Sequence, residues 1–296
     1  MQMNSSENIR GAVFMVVAMA AFTANDAALK LLGDAVPLFQ IILLRGVMTS
    51  MLIAGMAWQM GALTFRIPKA DRGLIALRCL AEAAAAWFFL TALFHMPIAD
   101  LTAILQALPL SVTLAGAVFL REPVGWRRFI AIGIGFYGVL LIIQPGADGI
   151  SLYALLGLAT VAAATMRDIV TRKLSRDVPS LTVTFFTALS VGAFGGVMGL
   201  GQDWVVMTTW DMGVIVFASL MIMLAYFAII VAMRTGEIGF VAPFRYSGLL
   251  VALVLGWVLF REWPDLLTLV GAGVLIATGI YTLYREAKVK AASQKR

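Results

Sequence analysis

Apolar residues fall in ten long runs, centred on residues 11–32, 37–57, 73–94, 98–119, 127–143, 152–171, 181–201, 212–233, 239–260 and 266–284. Each is close to the ~20 residues that an α-helix needs to cross the hydrocarbon core of a bilayer. Polar and charged residues gather between the runs, and the longest connection, between the second and third, has about 15 residues, too few for a separate folded domain. The pattern predicts an all-α membrane protein of ten transmembrane helices whose function lies within the bundle. The first run follows Arg10 and ends near AFTA, as a secretory signal would. Phe22 is too large for an A-x-A cleavage position, however, and Asp26 and Lys30 have counterparts later in the chain, so the run is read as the first span.

Composition narrows the function classes. Hydrophobic residues make up 61% of the chain and charged residues only 13%, against about 25% charged in soluble domains. A single cysteine, Cys79, and a single histidine, His95, exclude a disulfide, a Cys/His zinc site and a Cys-Cys redox pair, and no cofactor is expected. The net charge of +6 comes from short Lys/Arg clusters between apolar runs. Without a basic stripe interleaved with aromatics it points to membrane orientation and not to a nucleic-acid partner. Sixteen of the 22 Lys and Arg, Arg66, Arg176, Lys288, Lys290, Lys295 and Arg296 among them, belong to the side of the amino terminus, whereas only Arg261 and Lys30 belong to the opposite side. The positive-inside rule then places both termini in the cytoplasm of a multi-pass inner (plasma) membrane protein.

The chain reads as a duplication. At an offset of 140, Gly116 meets Gly256, Arg121–Glu122 meets Arg261–Glu262, and Gly133 meets Gly273. At an offset of 142, Asp26 meets Asp168, Lys30 meets Arg172 and Pro37 meets Pro179. Residues 1–146 and 147–296 thus form two repeats of five spans each, and an odd span number inverts the second repeat in the membrane. Inverted repeats around a central cavity are the architecture of alternating-access carriers.

Four Arg residues, Arg45, Arg78, Arg167 and Arg245, fall inside spans, where a charge costs about 2.5–3.5 kcal/mol unless it meets a partner, a wet cavity or the interface. Arg78 and Glu82 are one helical turn apart, on one face with Phe89. They form either an ion pair that serves packing or part of a cavity lining. Arg245 could hold a carboxylate beside an apolar ring with Tyr246 as its neighbour, or it could snorkel to lipid phosphate. Gln106 occupies the place in the first repeat that Tyr246 holds in the second. Asp26, paired with Arg45, and Asp168, beside Arg167, suit structural or gating ion pairs better than proton carriers. Phe22 is a further candidate for contact with an apolar substrate group. Arg121–Glu122 and Arg261–Glu262 sit at span ends and read as interfacial turn anchors. The G-x-G-x-x-G at Gly133–Gly138 lies within a span and reads as helix packing.

The segments ADLTAILQALPLSVTLAGAVFLREPVGWRRFIAIGIGFYGVLLIIQPG and GFVAPFRYSGLLVALVLGWVLFREWPDLLTLVGAGVLIATGIYTLY resemble the two EamA domains of the drug/metabolite transporter superfamily. Within it the likeness is to the YddG-type exporters of amino acids, aromatic ones included. The resemblance implies ten helices, a central cavity and alternating access, with a small-molecule substrate, the lipid bilayer as the other partner, and a monomer as a plausible state. Cationic drugs or other small metabolites are alternative substrates. No G-x-x-x-x-G-K-[ST] motif is present, so transport is expected to be downhill or ion-coupled. An intramembrane enzyme is disfavoured because His95 lies at a span end and Asp26 and Asp168 lie at opposite depths.

Overall fold

The computed structural model describes residues 5–59, 61, 67–122, 124–146, 149–175, 178–235 and 237–293. Arg66, Arg176, Lys295 and Arg296, counted above for orientation, lie outside them, as do the side chains of Lys288 and Lys290. The ten spans are helical. They comprise α1 (Ser5–Lys30), α2 (Leu38–Gln59), α3 (Lys69–His95), α4 with α5 (Ile98–Leu105, Leu108–Phe119), α6 (Trp126–Ile143), α7 (Leu152–Lys173), α8 (Ser180–Met198) and α9 (Thr209–Thr235). The ninth consists of α10 (Ile238–Val241), a 3-10 turn (Ala242–Tyr246), α11 (Ser247–Leu255) and a π turn (Gly256–Phe260), and α12 (Leu266–Ser293) closes the chain. The helices outrun the apolar runs at their ends. The connection after the second span therefore shrinks to residues 60–68, because a helix satisfies its own backbone groups through the headgroup layer.

Proline sets several starts. Pro68, Pro97 and Pro179 precede α3, α4 and α8 in extended geometry, which a helix tolerates because the first amides need no partner within it. Pro37 and Pro179 accept the amides of Ile41 and Val183 at 3.1 and 3.2 Å, the same turn in both repeats. The two repeats also share their helix ends. Arg121 (φ 54) and Arg261 (φ 58) are left-handed, and each returns the following Glu amide to a glycine carbonyl six residues earlier, Glu122 to Gly116 at 3.2 Å and Glu262 to Gly256 at 3.0 Å. This is a left-handed helix cap, and a Cβ at Gly116 would sit 2.8 Å from the folded-back Glu122 carboxylate.

Packing follows the duplication. α1 packs on α9 and α3 on α7, while α2 packs on α8 and α6 on α12. Exchanging the first five spans for the second five converts the first pair into the second and leaves the other two unchanged, as a two-fold axis in the membrane plane requires. The self-paired seams are built from glycine: Gly46 of α2 meets Gly192 of α8 at backbone distance, Gly195 of α8 meets the backbone of Leu43 and Phe39 of α2, and Gly138 of α6 meets Gly271 of α12. Small residues allow such approach where lipid offers no hydrophobic drive. Within the G-x-G-x-x-G segment, Gly138 makes this seam and Gly135 lies against Leu110 and Thr278, while Gly133 has open space beside it.

The two membrane faces are packed differently. On the face opposite the amino terminus, Leu29, Leu32, Ile41, Leu90, Leu93, Ile98, Leu101 and Ile215 form one contiguous buried core. On the amino-terminal face, two small clusters stand apart, Met15, Ala232 and Val241 in one, Ile75, Val178 and Val183 in the other. Among the described residues the bundle is sealed at the far face and split at the amino-terminal face.

Candidate functional site

The split leads into a central cavity of about 530 Å³, walled by spans of both repeats. Lining residues reach Thr171, near the carboxyl end of α7, and Thr184, near the start of α8, both toward the amino-terminal face. Of the eleven residues singled out from the sequence, ten line this one cavity: Phe22, Asp26, Arg45, Arg78, Glu82, Phe89, Gln106, Arg167, Asp168 and Arg245.

Tyr246 is the exception. It is buried, 5% exposed, and packs against Gly279 of α12 with its hydroxyl unpartnered. The cause is local: Arg245 and Tyr246 share a 3-10 turn, whose successive side chains diverge by about 120°, so when Arg245 enters the cavity its neighbour leaves. Arg78 and Glu82, read from the sequence as either an ion pair or a cavity lining, both line the cavity and do not pair with each other. Arg78 donates to the hydroxyls of Thr171, at 2.8 Å, and Thr187. Glu82 accepts instead from Arg167 of α7 at 3.0 Å, and Arg167 donates at 2.8 Å to Asp168. A carboxylate–guanidinium–carboxylate chain thus joins α3 to α7 through the cavity wall. The reason is reach: the α3 face bearing both residues abuts α7, and Arg167 offers a planar fork that two carboxylates can share.

Arg45 and Arg245 stand differently. Neither has a hydrogen bond or ion pair among the described residues, although Asp26 attracts Arg45 and Asp168 attracts Arg245 from farther away. Asp26 accepts from the side chain of Asn25 at 2.8 Å, so the expected Asp26–Arg45 ion pair is not closed. Arg245 is exposed, and the cavity is what exposes it. The breaks in the fourth and ninth spans sit at the same level of the two repeats. Gln106 follows α4 at the first, and Arg245 lies in the second. Broken helices at membrane depth are tolerated where they border a wet cavity.

Sequence reasoning missed several wall residues. Tyr226 of α9 stacks edge-on against Phe22 at 5.6 Å and completes an apolar, aromatic side of the cavity; within LMIMLAYFAII nothing marks it out. Thr171 and Thr187 hold Arg78 in place, and their signal was the need for acceptors near a buried guanidinium. Lys30–Glu262 and Arg172–Glu122 also form ion pairs, at 2.6 and 3.0 Å. These four were legible as opposite charges recurring at equivalent positions.

The family model described as the EamA-like transporter family matches residues 9–144 and 151–285. The chain belongs to the EamA-like transporter family. It is 22% identical over 280 residues to an S-adenosylmethionine uptake transporter of Rickettsia conorii, covering 95% of this chain and 94% of that one. It is 26% identical over 286 residues to the pseudopaline exporter CntI of Pseudomonas aeruginosa, covering 94% and 97%. A riboflavin transporter of Vibrio cholerae is 29% identical over 199 residues, covering 66% and 65%. A solved crystal structure superposes with a TM-score of 0.64 at 19% identity over 96% of this chain and 98% of that one, and so shares its fold. This EamA-like protein is a multi-pass membrane transporter of small molecules and not an enzyme.

Proposed function

We propose that this transporter exports amino acids and related amphipathic metabolites from the cytoplasm across the inner membrane by alternating access, its repeats dividing between residues 146 and 147. The observation that carries the reading is the cavity's polarity. Arg45 and Arg245 offer guanidinium donors that no protein group takes up, Glu82, Asp26 and Asp168 offer acceptors for an ammonium group, and Phe22, Phe89 and Tyr226 offer apolar surface. Carboxylate on arginine is a charge-assisted, often two-pronged bond, and aromatic walls suit an aromatic side chain. S-adenosylmethionine, named for the Rickettsia relative, itself ends in an α-amino acid group. With the amino terminus cytoplasmic, the open mouth faces the cytoplasm and loading occurs from there.

The test is transport of radiolabelled phenylalanine in proteoliposomes, with saturation and counterflow to separate a carrier from a pore. Unlabelled aromatic amino acids should compete, and a quaternary ammonium drug should not. Competition by the drug alone, with no amino acid carried, would overturn the assignment.

A further inference from the structure

We propose that the ion pairs Lys30–Glu262 and Arg172–Glu122 are the two gate latches of the transport cycle, both formed in this structure, the first buried in a sealed face and the second exposed at an open one. The proposal rests on the alternating-access reading above. The four residues are two copies of one device. Lys30 is the last residue of α1 and Arg172 the last but one of α7, the first spans of their repeats, and they occupy equivalent positions at an offset of 142. Glu122 and Glu262 occupy equivalent positions at an offset of 140, each folded back by the left-handed arginine before it. Each pair joins one repeat to the other, and inversion puts the Lys30 pair on the far face and the Arg172 pair on the amino-terminal face.

Identical connections are in different states. Around Lys30 and Glu262 the side chains are 10% and 25% exposed. Lys30 also donates to the Met96 carbonyl at 2.8 Å, and Glu262 also accepts the Ile98 amide at 3.2 Å. The knot therefore ties α1, the π turn and the start of α4 together over the sealed core. Around Arg172 and Glu122 both side chains are 46% exposed, and among the described residues Glu122 accepts from Arg172 alone. The residue equivalent to Ile98 is Ile238, which opens α10. Exchanging the states of the two repeats gives the opposite conformation. The two small clusters of the amino-terminal face would then merge over a buried Arg172–Glu122 pair, and Lys30–Glu262 would become as exposed as Arg172–Glu122 is here, as the far face opens. Two linked equilibria of this kind are reciprocal: weakening either gate shifts the population toward the conformation in which that gate is open.

The test uses the full-length protein with Cys79→Ser and one introduced cavity cysteine, Thr102→Cys toward the far face or Thr171→Cys toward the amino-terminal face. A membrane-impermeant maleimide is applied from a known side of sealed vesicles. Glu262→Gln should raise far-side labelling of the Thr102→Cys protein on the order of ten-fold and lower amino-terminal-side labelling of the Thr171→Cys protein. Glu122→Gln, at an exposed pair that tolerates the change, should shift both rates the other way. The reversed pair Lys30→Glu with Glu262→Lys should restore the parent rates, which a folding defect would not. Far-side labelling that occurs but is equal in all variants overturns the gates and leaves alternating access standing. Labelling from the far side in no variant, while phenylalanine still crosses, overturns both.

Discussion

Arg245 and Tyr246 show how much a single residue's direction decides. They are neighbours, yet the 3-10 turn sends one into the cavity and the other into a glycine-lined slot beside α12. If Arg245 holds the substrate carboxylate, its removal costs a charge-assisted hydrogen bond of about 1.5–3 kcal/mol. Arg245→Ala should then raise the half-saturation concentration for phenylalanine about ten- to a hundred-fold. Tyr246→Phe, which removes a hydroxyl that has no partner, should leave transport unchanged. Concentration-dependent uptake in proteoliposomes measures both, and the outcome fails if the tyrosine variant is the impaired one. Glu82 demands a milder substitution. Truncating one member of a partly buried ion pair strands the other's charge at a cost of about 3–5 kcal/mol, so Glu82→Gln is the informative change.

Among the elements, helix ends carry more of the design than helix middles. Asp265 begins α12 by accepting the Thr268 amide at 2.7 Å and also takes a bond from Gln144 at 2.6 Å. Chiefly the Thr268 amide, and then Gln144, hold its carboxyl below the usual carboxylate range. A carboxyl lowered by folding stabilises the protein at every pH above its unfolded value, near 3.9, and that stabilisation disappears as pH falls through the folded value. Asp265→Ala should therefore lower the melting temperature by a constant margin at pH 5–8, and the margin should shrink on acidification below about pH 4. Differential scanning fluorimetry of detergent-solubilised protein across that range reads it directly. A margin independent of pH would show that the carboxylate's charge contributes nothing there. The left-handed Arg121 and Arg261 make the same point: a side chain kept where glycine would be less strained aims the next residue, a glutamate, back over its own helix.

Taken whole, the fold was largely legible in the chain, because a bilayer admits so few solutions. Ten apolar runs of the right length predict ten helices, and charge excess on alternate connections orders them. The gathering of ten predicted residues around one cavity was legible for a related reason, since a charge at that depth has few places to go. Pairings were not. Sequence distance favoured Arg78 with Glu82, but tertiary packing brought Arg167 closer, and no spacing rule anticipates which of two facing helices supplies a partner. Breaks in the fourth and ninth spans were hidden as well, because Gln106 and Arg245 interrupt helices by geometry and not by composition. One consequence of the glycine seams follows from their place in the fold. Gly46 against Gly192, and Gly138 against Gly271, lie where each repeat meets its own equivalent, so the proposed motion that would reverse the mouth would sweep them through the shortest arc. Hydrogen–deuterium exchange with the mouth held toward either leaflet should find those four amides among the slowest to trade protons, still hubs of a rocking wheel whose rims take turns getting wet.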